Sequence, residues 1–223
     1  MTAARRFLPI ATALVLATAL LTVMPASVGV ALARPGGLVL SASMDDDERT
    51  AVAAVDGFWK RHFTEFFNKP YTSPQVRGAY VGTNGPTCGS SRAEPLNAYY
   101  CPPGDYLAWD ENLMSTGYKR VGNAWVYLII AHEWGHAIQA RVSKRLVSVA
   151  DELQADCLAG AELSGAVHDG VIQMEPGDSK AIGDTLTALA DDTPWTNRQD
   201  HGDAQQRISA YNKGAQGGVR GCF

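Results

Sequence analysis

Apolar positions along this chain change their spacing several times, and each change predicts a different element. From residue 7 to residue 33 they are nearly continuous, interrupted only by Thr, Ser, Pro and Gly. Between 45 and 67, Val52, Val55, Trp59, Phe63 and Phe66 recur at helical spacing, and Asp45-Asp46-Asp47 suits the positive end of that helix's dipole. Residues 69–97 are rich in Pro, Gly, Ser and Asn and read mostly as loop, with Ala79-Tyr80-Val81 as a short strand. Two short runs, 98–101 and 106–109, flank Pro102-Pro103-Gly104-Asp105, which predicts two strands around a turn. The stretch 121–143 lacks proline and is apolar almost all round, as a buried helix is. Further helices are expected from about 146 to 163 and from 203 to about 213. The fold class read from this order is α+β, mainly helical with a short hairpin.

The first run changes the meaning of the averages. Residues 1–33 contain no Asp or Glu, carry Arg5 and Arg6, and end on Ala31-Leu32-Ala33, the layout of a secretory signal peptide with Arg34 as the first mature residue. The alternative is a retained anchor, since residues 7–33 are long enough to span a bilayer and would associate the protein with a membrane. Either way the expected location is extracytoplasmic, secreted or cell-envelope associated. The domain plan is then 1–33 signal peptide or anchor, 34–44 flexible leader, and 45–223 a single domain.

The whole chain has 223 residues and a formal net charge of -4, with 19 Lys+Arg against 23 Asp+Glu. That balance offers no broad basic surface and argues against nucleic acid as a partner. Four cysteines, Cys88, Cys101, Cys157 and Cys222, form an even set in an exported chain, so two disulfides are expected. Three pairings are open. Cys88–Cys101 with Cys157–Cys222 is preferred, because the first two flank a short loop-rich segment. Thiol ligation of zinc competes, but no C-x-x-C spacing supports it.

Chemistry concentrates in the buried helix, at His132-Glu133-Trp134-Gly135-His136. Residues four apart share a helix face, so both imidazoles can converge on one ion while Glu133 stands about 100 degrees round, near a metal-bound water. The chain has only 5 His, which makes a chance H-E-x-x-H rare. A catalytic zinc site needs a third protein ligand. The extended metzincin pattern would place Gly at 139 and His at 142, where this chain has Gln139 and Val142. Glu152 and Asp156 instead stand four apart on the next helix. Glu152 can complete a His₂Glu set, and Asp156 can orient a ligand imidazole from behind. An exposed acidic face is the plainer reading of that pair.

These residues carry a resemblance. His132-Glu133-Trp134-Gly135-His136-Ala137-Ile138-Gln139 followed by Glu152-Leu153-Gln154-Ala155-Asp156-Cys157 resembles the neutral zinc metallopeptidases of bacteria, a gluzincin-like group. Cys88-Gly89, Tyr100-Cys101-Pro102 and His201-Gly202-Asp203-Ala204-Gln205-Gln206-Arg207 extend the likeness from about residue 71 to 222. The resemblance implies one zinc ion held by His132, His136 and Glu152, Glu133 as catalytic base, peptide or protein substrates, and a hairpin edge beside the active-site helix. Two features depart from the pattern: the stretch 168–200 is short, and Asp203 stands where Ser or Thr is expected.

Other residues take weaker readings. His201, just before the last helix, is the candidate donor to a developing oxyanion, against a plain turn-and-cap role. Arg207 is placed to pair with a buried carboxylate such as Asp156. His62 reads as structural, His168 as a solvated loop histidine, and Tyr99, Tyr100, Tyr106 and Trp109 as hairpin packing. The function expected is a zinc-dependent peptidase. A zinc-binding but non-hydrolytic envelope or scaffold protein is the alternative, and a metal-independent binding domain the third.

Overall fold

The computed structural model describes residues 43–197 and 200–223. The expected signal peptide and all but the last two residues of the leader lie outside the described residues. The first helix, α1 (Met44–Phe67), begins one residue before the acidic triplet, because Ser43 caps it. Ser43 Oγ accepts from the Asp46 amide while the Asp46 carboxylate accepts from the Ser43 amide, a reciprocal capping box. Its apolar stripe buries Val55, Phe58, Trp59 and Phe63.

Three strands follow: β1 (Gln75–Tyr80), β2 (Ala98–Cys101) and β3 (Tyr106–Asp110). Their order in the sheet is β1-β3-β2, with β1 parallel and β2 antiparallel to β3. The expected hairpin is present, but β3 is central and buried along its whole length. The strand expected at 79–81 lies instead at Gln75–Tyr80, mostly exposed and with an irregular register between Val76 and Gly78. An exposed edge carries little apolar alternation, which is why the pattern misplaced it.

Asp110 ends β3 and caps α2 (Glu111–Val121), accepting from the amides of Asn112 and Leu113. Hydrophobic patterning gave no sign of this helix. Gly122, at φ 97°, then breaks the chain, so the helix expected from 121 starts later, as α3 (Ala124–Arg141). The next helix also starts later than expected, as α4 (Asp151–His168), and His168 is its exposed last residue rather than a loop residue. Helix α5 (Asp178–Ala188) fills the stretch that carried no assignment. Asp203 caps α6 (Ala204–Gly217) in a second capping box with Gln206, so an aspartate does there what Ser or Thr would do.

The helices pack closely where side chains are smallest. A Cβ on Gly135 of α3 would lie 2.9 Å from the Ala155 carbonyl oxygen of α4, and one on Gly214 of α6 only 1.7 Å from that of Cys157. The core between them holds Trp59, Phe63, Leu128, Ile130, Trp134, Ile138 and Leu158. Disulfides join Cys88 to Cys101 and Cys157 to Cys222. One unit spans Ser41–Phe223. No helix of the described residues is long and apolar enough to cross a membrane.

Candidate metal centre

The close contact of α3 and α4 at Gly135 and Ala155 brings the first turn of α4 against the histidine face of α3. His132 Nε2 lies 3.1 Å from Glu152 Oε2 and 3.2 Å from His136 Nε2, and His136 Nε2 lies 3.3 Å from Glu152 Oε2. This triangle has the size of one face of a zinc tetrahedron, since ligands at about 2.0–2.1 Å from the ion stand roughly 3.3 Å apart. Two imidazole nitrogens and a carboxylate oxygen also suit zinc chemically. The residues therefore fit the ion. Among the described residues this is the group of three or more His, Cys, Asp or Glu able to hold one.

Each imidazole is oriented from behind. His132 Nδ1 lies 2.8 Å from Asp156 Oδ1, and that carboxylate accepts two further bonds from Arg207. His136 Nδ1 lies 2.9 Å from Gln139 Oε1. The Gln139 amide cannot turn round, because its Nε2 donates to the Asp151 carbonyl at 2.7 Å. Its oxygen must face His136, which puts the proton on Nδ1 and leaves Nε2 as the free lone pair. Both imidazoles thus present Nε2 to the centre. Gln154 braces the same loop, accepting from the Ser148 amide and donating to the carbonyls of Leu146 and Cys222. This tie keeps 146–150 out of α4.

The electrostatics favour a cation at the triangle. Burial alone would lower the His132 pKa, but Asp156, Glu152 and Glu133 push it up to about 10. His136 is likewise raised, against burial, by Glu152 and Glu133. Burial would raise the Glu152 carboxyl, yet the two imidazoles hold it well below the usual carboxylate range. Asp156 is also held low, by Arg207 and His132. What stabilises protons on these imidazoles stabilises a metal ion between the same groups.

Glu133 points from α3 toward the sheet, where its Oε2 accepts the backbone N–H of Tyr100 at 2.8 Å. Edge strand β2 is thereby set against the active-site helix. Its turn is anchored to the end of α3 as well, through Arg141 to Asp105 at 2.7 and 2.9 Å. His201 stands at the mouth of the cleft, 46% exposed, with Nε2 3.6 Å from Glu152 Oε2 and its ring centre 6.4 Å from that of His132. Together these groups line a cleft of about 610 Å³.

Of the remaining candidates, Tyr99 and Tyr100 line the cleft, and His62 and Tyr106 lie outside it. His62 pairs with Asp169 at 3.0 Å. Tyr99 and Tyr106 pin the loop before β2 through the carbonyls of Pro86 and Thr87. Patterning along the chain missed Gln139 and Gln154 as supports of the centre. The available signal was Gln139's position three residues after His136, on the same helix face.

Comparison with known proteins gives a family and two relatives. The family described as "Putative neutral zinc metallopeptidase" matches residues 33–222. Two relatives, each named "Uncharacterized protein YpfJ", come from Escherichia coli strain K12 and Escherichia coli O6:H1, and each is 27% identical to this chain. The match covers 75% of this chain and 66% of either relative, so the chain spans just under two thirds of their length. No solved structure matches significantly.

Proposed function

The chain belongs to the neutral zinc metallopeptidase family, and from that premise we propose that it is an exported zinc-dependent peptidase that hydrolyses peptide bonds with Glu133 as general base. The observation that carries the reading is the triangle of His132, His136 and Glu152 with Glu133 beside it. Bound by these three residues, zinc supplies Lewis-acid chemistry, acidifying a water and polarising a carbonyl.

The chain's own residues supply the rest. Glu133 takes a proton from the attacking water as the water oxygen bonds to the carbonyl carbon. When the C–N bond breaks, Glu133 returns that proton to the amine nitrogen. His201 donates to the negative charge growing on the carbonyl oxygen. Asp156 and Arg207 hold the His132 ring, and Gln139 holds the His136 ring. An extended peptide adds to the outer edge of β2 by backbone hydrogen bonds, taking over the Tyr100 N–H that Glu133 otherwise holds, which presents a bond to Glu133 without demanding a sequence. The two disulfides support an extracytoplasmic location.

A non-hydrolytic zinc protein needs Glu133 only to hold the Tyr100 amide, so the residue's part in cleavage carries the test. Cleavage of a mixed quenched-peptide library is compared for the zinc-loaded protein, Glu133→Ala and a chelated sample. Glu133→Ala should retain one zinc per chain and lose roughly 10²–10⁴-fold in rate. Equal cleavage by the variant and the wild type would rule out the mechanism.

A further inference from the structure

Helix α5 carries a glycine at its middle, Gly183, that neither its backbone nor its packing requires. Glycine is among the least favourable residues in a helix interior. At Gly135 and Gly214 the close approach of a neighbouring helix excludes a side chain, but a Cβ on Gly183 would meet nothing within 4 Å. The missing side chain leaves open space.

That space belongs to a cavity of about 540 Å³ bordered by α3, α4, α5, α6 and residues 171–175. It shares no residue with the metal cleft. Its size falls within the roughly 300–1,000 Å³ of small-molecule sites. The floor is apolar and buried, made of Leu163, Ile182, Leu186 and Tyr211, and the exposed Val171 and Met174 extend it to the rim. The polar lining is either spent or peripheral. Ser164 Oγ donates to the Ala215 carbonyl at 3.1 Å and Thr50 Oγ1 to that of Asp46 at 2.8 Å, while Asn123, Gln173, Ser179 and Asn212 are exposed. Tyr211 differs: it is 8% exposed, and its hydroxyl has no hydrogen-bond partner among the described residues.

The charges at this cavity have one sign. Glu175 and Asp178 stand together, with the Glu175 amide donating to Asp178 Oδ2 at 2.7 Å, and neither carboxylate has an ion-pair partner among the described residues. No described Lys, Arg or His lines the cavity. Asp178 suits the start of α5, but Glu175 precedes that helix and its carboxylate caps nothing.

We propose that this cavity is a second binding site, for a small organic amine with an apolar body: the body lies on the aliphatic floor in the space that Gly183 leaves open, and the ammonium lies at Glu175 and Asp178. Burial of the body supplies most of the affinity, and the two carboxylates select the sign of the head group. Tyr211 offers the body one hydrogen bond. The site needs neither zinc nor hydrolysis, so it stands apart from the peptidase reading.

Methyl-resolved NMR titration of the zinc-loaded protein tests this with 4-phenylbutylamine, 4-phenylbutyrate and butylamine at neutral pH. The first should shift the methyls of Met174 and Ile182 most. It should bind roughly 10- to 100-fold more tightly than butylamine, which lacks the aryl body. Against 4-phenylbutyrate, which reverses the charge of the head group, the advantage should be about fivefold or more. Gly183→Leu fills the cavity and suits a helix better, so it should weaken the amine at least about tenfold with no loss of melting temperature. Glu175 is exposed, so Glu175→Gln leaves the fold intact and should lower the affinity for the amine about two- to fivefold. Removing zinc with a chelator should leave that affinity unchanged. The site is overturned if 4-phenylbutylamine does not bind, if amine and carboxylate bind equally, if the shifts centre on α3 around His132, or if either variant keeps full affinity.

Discussion

Asp156 Oδ1 lies 2.8 Å from His132 Nδ1, and the same carboxylate accepts two bonds of 2.8 Å from Arg207, in a place with no exposure to water. A proposed metal ligand on α3 is thus tied to the last helix through one buried charge on α4. The arrangement couples the geometry of the centre to the packing of α6.

Asp156→Asn should therefore damage both stability and metal binding. It leaves the buried Arg207 guanidinium without its counter-charge, which costs about 3–5 kcal/mol. The double variant Asp156→Asn with Arg207→Met should lose less than the two single losses combined, as read from urea midpoints. Zinc affinity should fall about 10- to 100-fold in either Asp156 variant. Unchanged affinity would show that His132 needs no such support.

Gln139→Leu should weaken zinc binding by a similar factor, about 10- to 100-fold, by freeing the His136 ring. Gln139→Glu keeps an oxygen facing Nδ1 but sets its other oxygen against the Asp151 carbonyl, and should recover only part of the affinity. The ¹⁵N shifts of His136 should report a Nδ1–H tautomer in the wild type and a mixture in the leucine variant. A drop in melting temperature with an unaltered tautomer would make Gln139 a packing residue only.

Glu162 predicts a pH effect with a definite sign. It is fully buried in α4, with Oε2 accepting from the Trp59 indole and no partner for Oε1 among the described residues. Burial pushes its carboxyl well above the ordinary value, with the Trp59 bond acting the other way. The native state keeps a proton that the unfolded chain releases above about pH 4.3, so stability falls as pH rises from there through the folded pKa. Glu162→Gln should stabilise the protein at pH 7, by about 1.4 kcal/mol for each pH unit of that window below pH 7. Urea unfolding should find the gain gone at pH 4. A gain equal at both pH values would contradict this account.

The two disulfides should differ in worth. Cys157–Cys222 closes 65 residues of chain and Cys88–Cys101 closes 13. Chain entropy then assigns about 4 kcal/mol to the first and about 3 kcal/mol to the second. Denaturant midpoints of Cys222→Ser and Cys88→Ser, each paired with serine at its partner, check the order.

Much of the fold could be read from patterning where one face of an element is buried and the other wet. Helix α1 is of this kind, through Trp59 and Phe63, whereas β3 showed as a short apolar run because it is buried along its whole length. Helix α2 was missed because it is short, largely polar and interrupted by Gly117, whose Cβ would strike the Trp125 ring. The late start of α4 was also hidden. Leu146, Val147 and Val149 look helical in sequence, but the Gln154 side chain claims the backbone of that loop.

What the chain determined by itself is local: His132, Glu133 and His136 share a buried helix whatever lies around them, because four residues make about one turn. The exclusion of a third histidine at 142 and the acidic pair on the next helix are equally matters of spacing. Tertiary structure decided everything that needs two elements at once. It brought Glu152 to within 3.1–3.3 Å of both imidazoles, turned Nε2 of each ring to the centre through Asp156 and Gln139, and laid the Tyr100 amide on Glu133. Those relations depend on packing distances between residues far apart in the chain, and no periodicity encodes them.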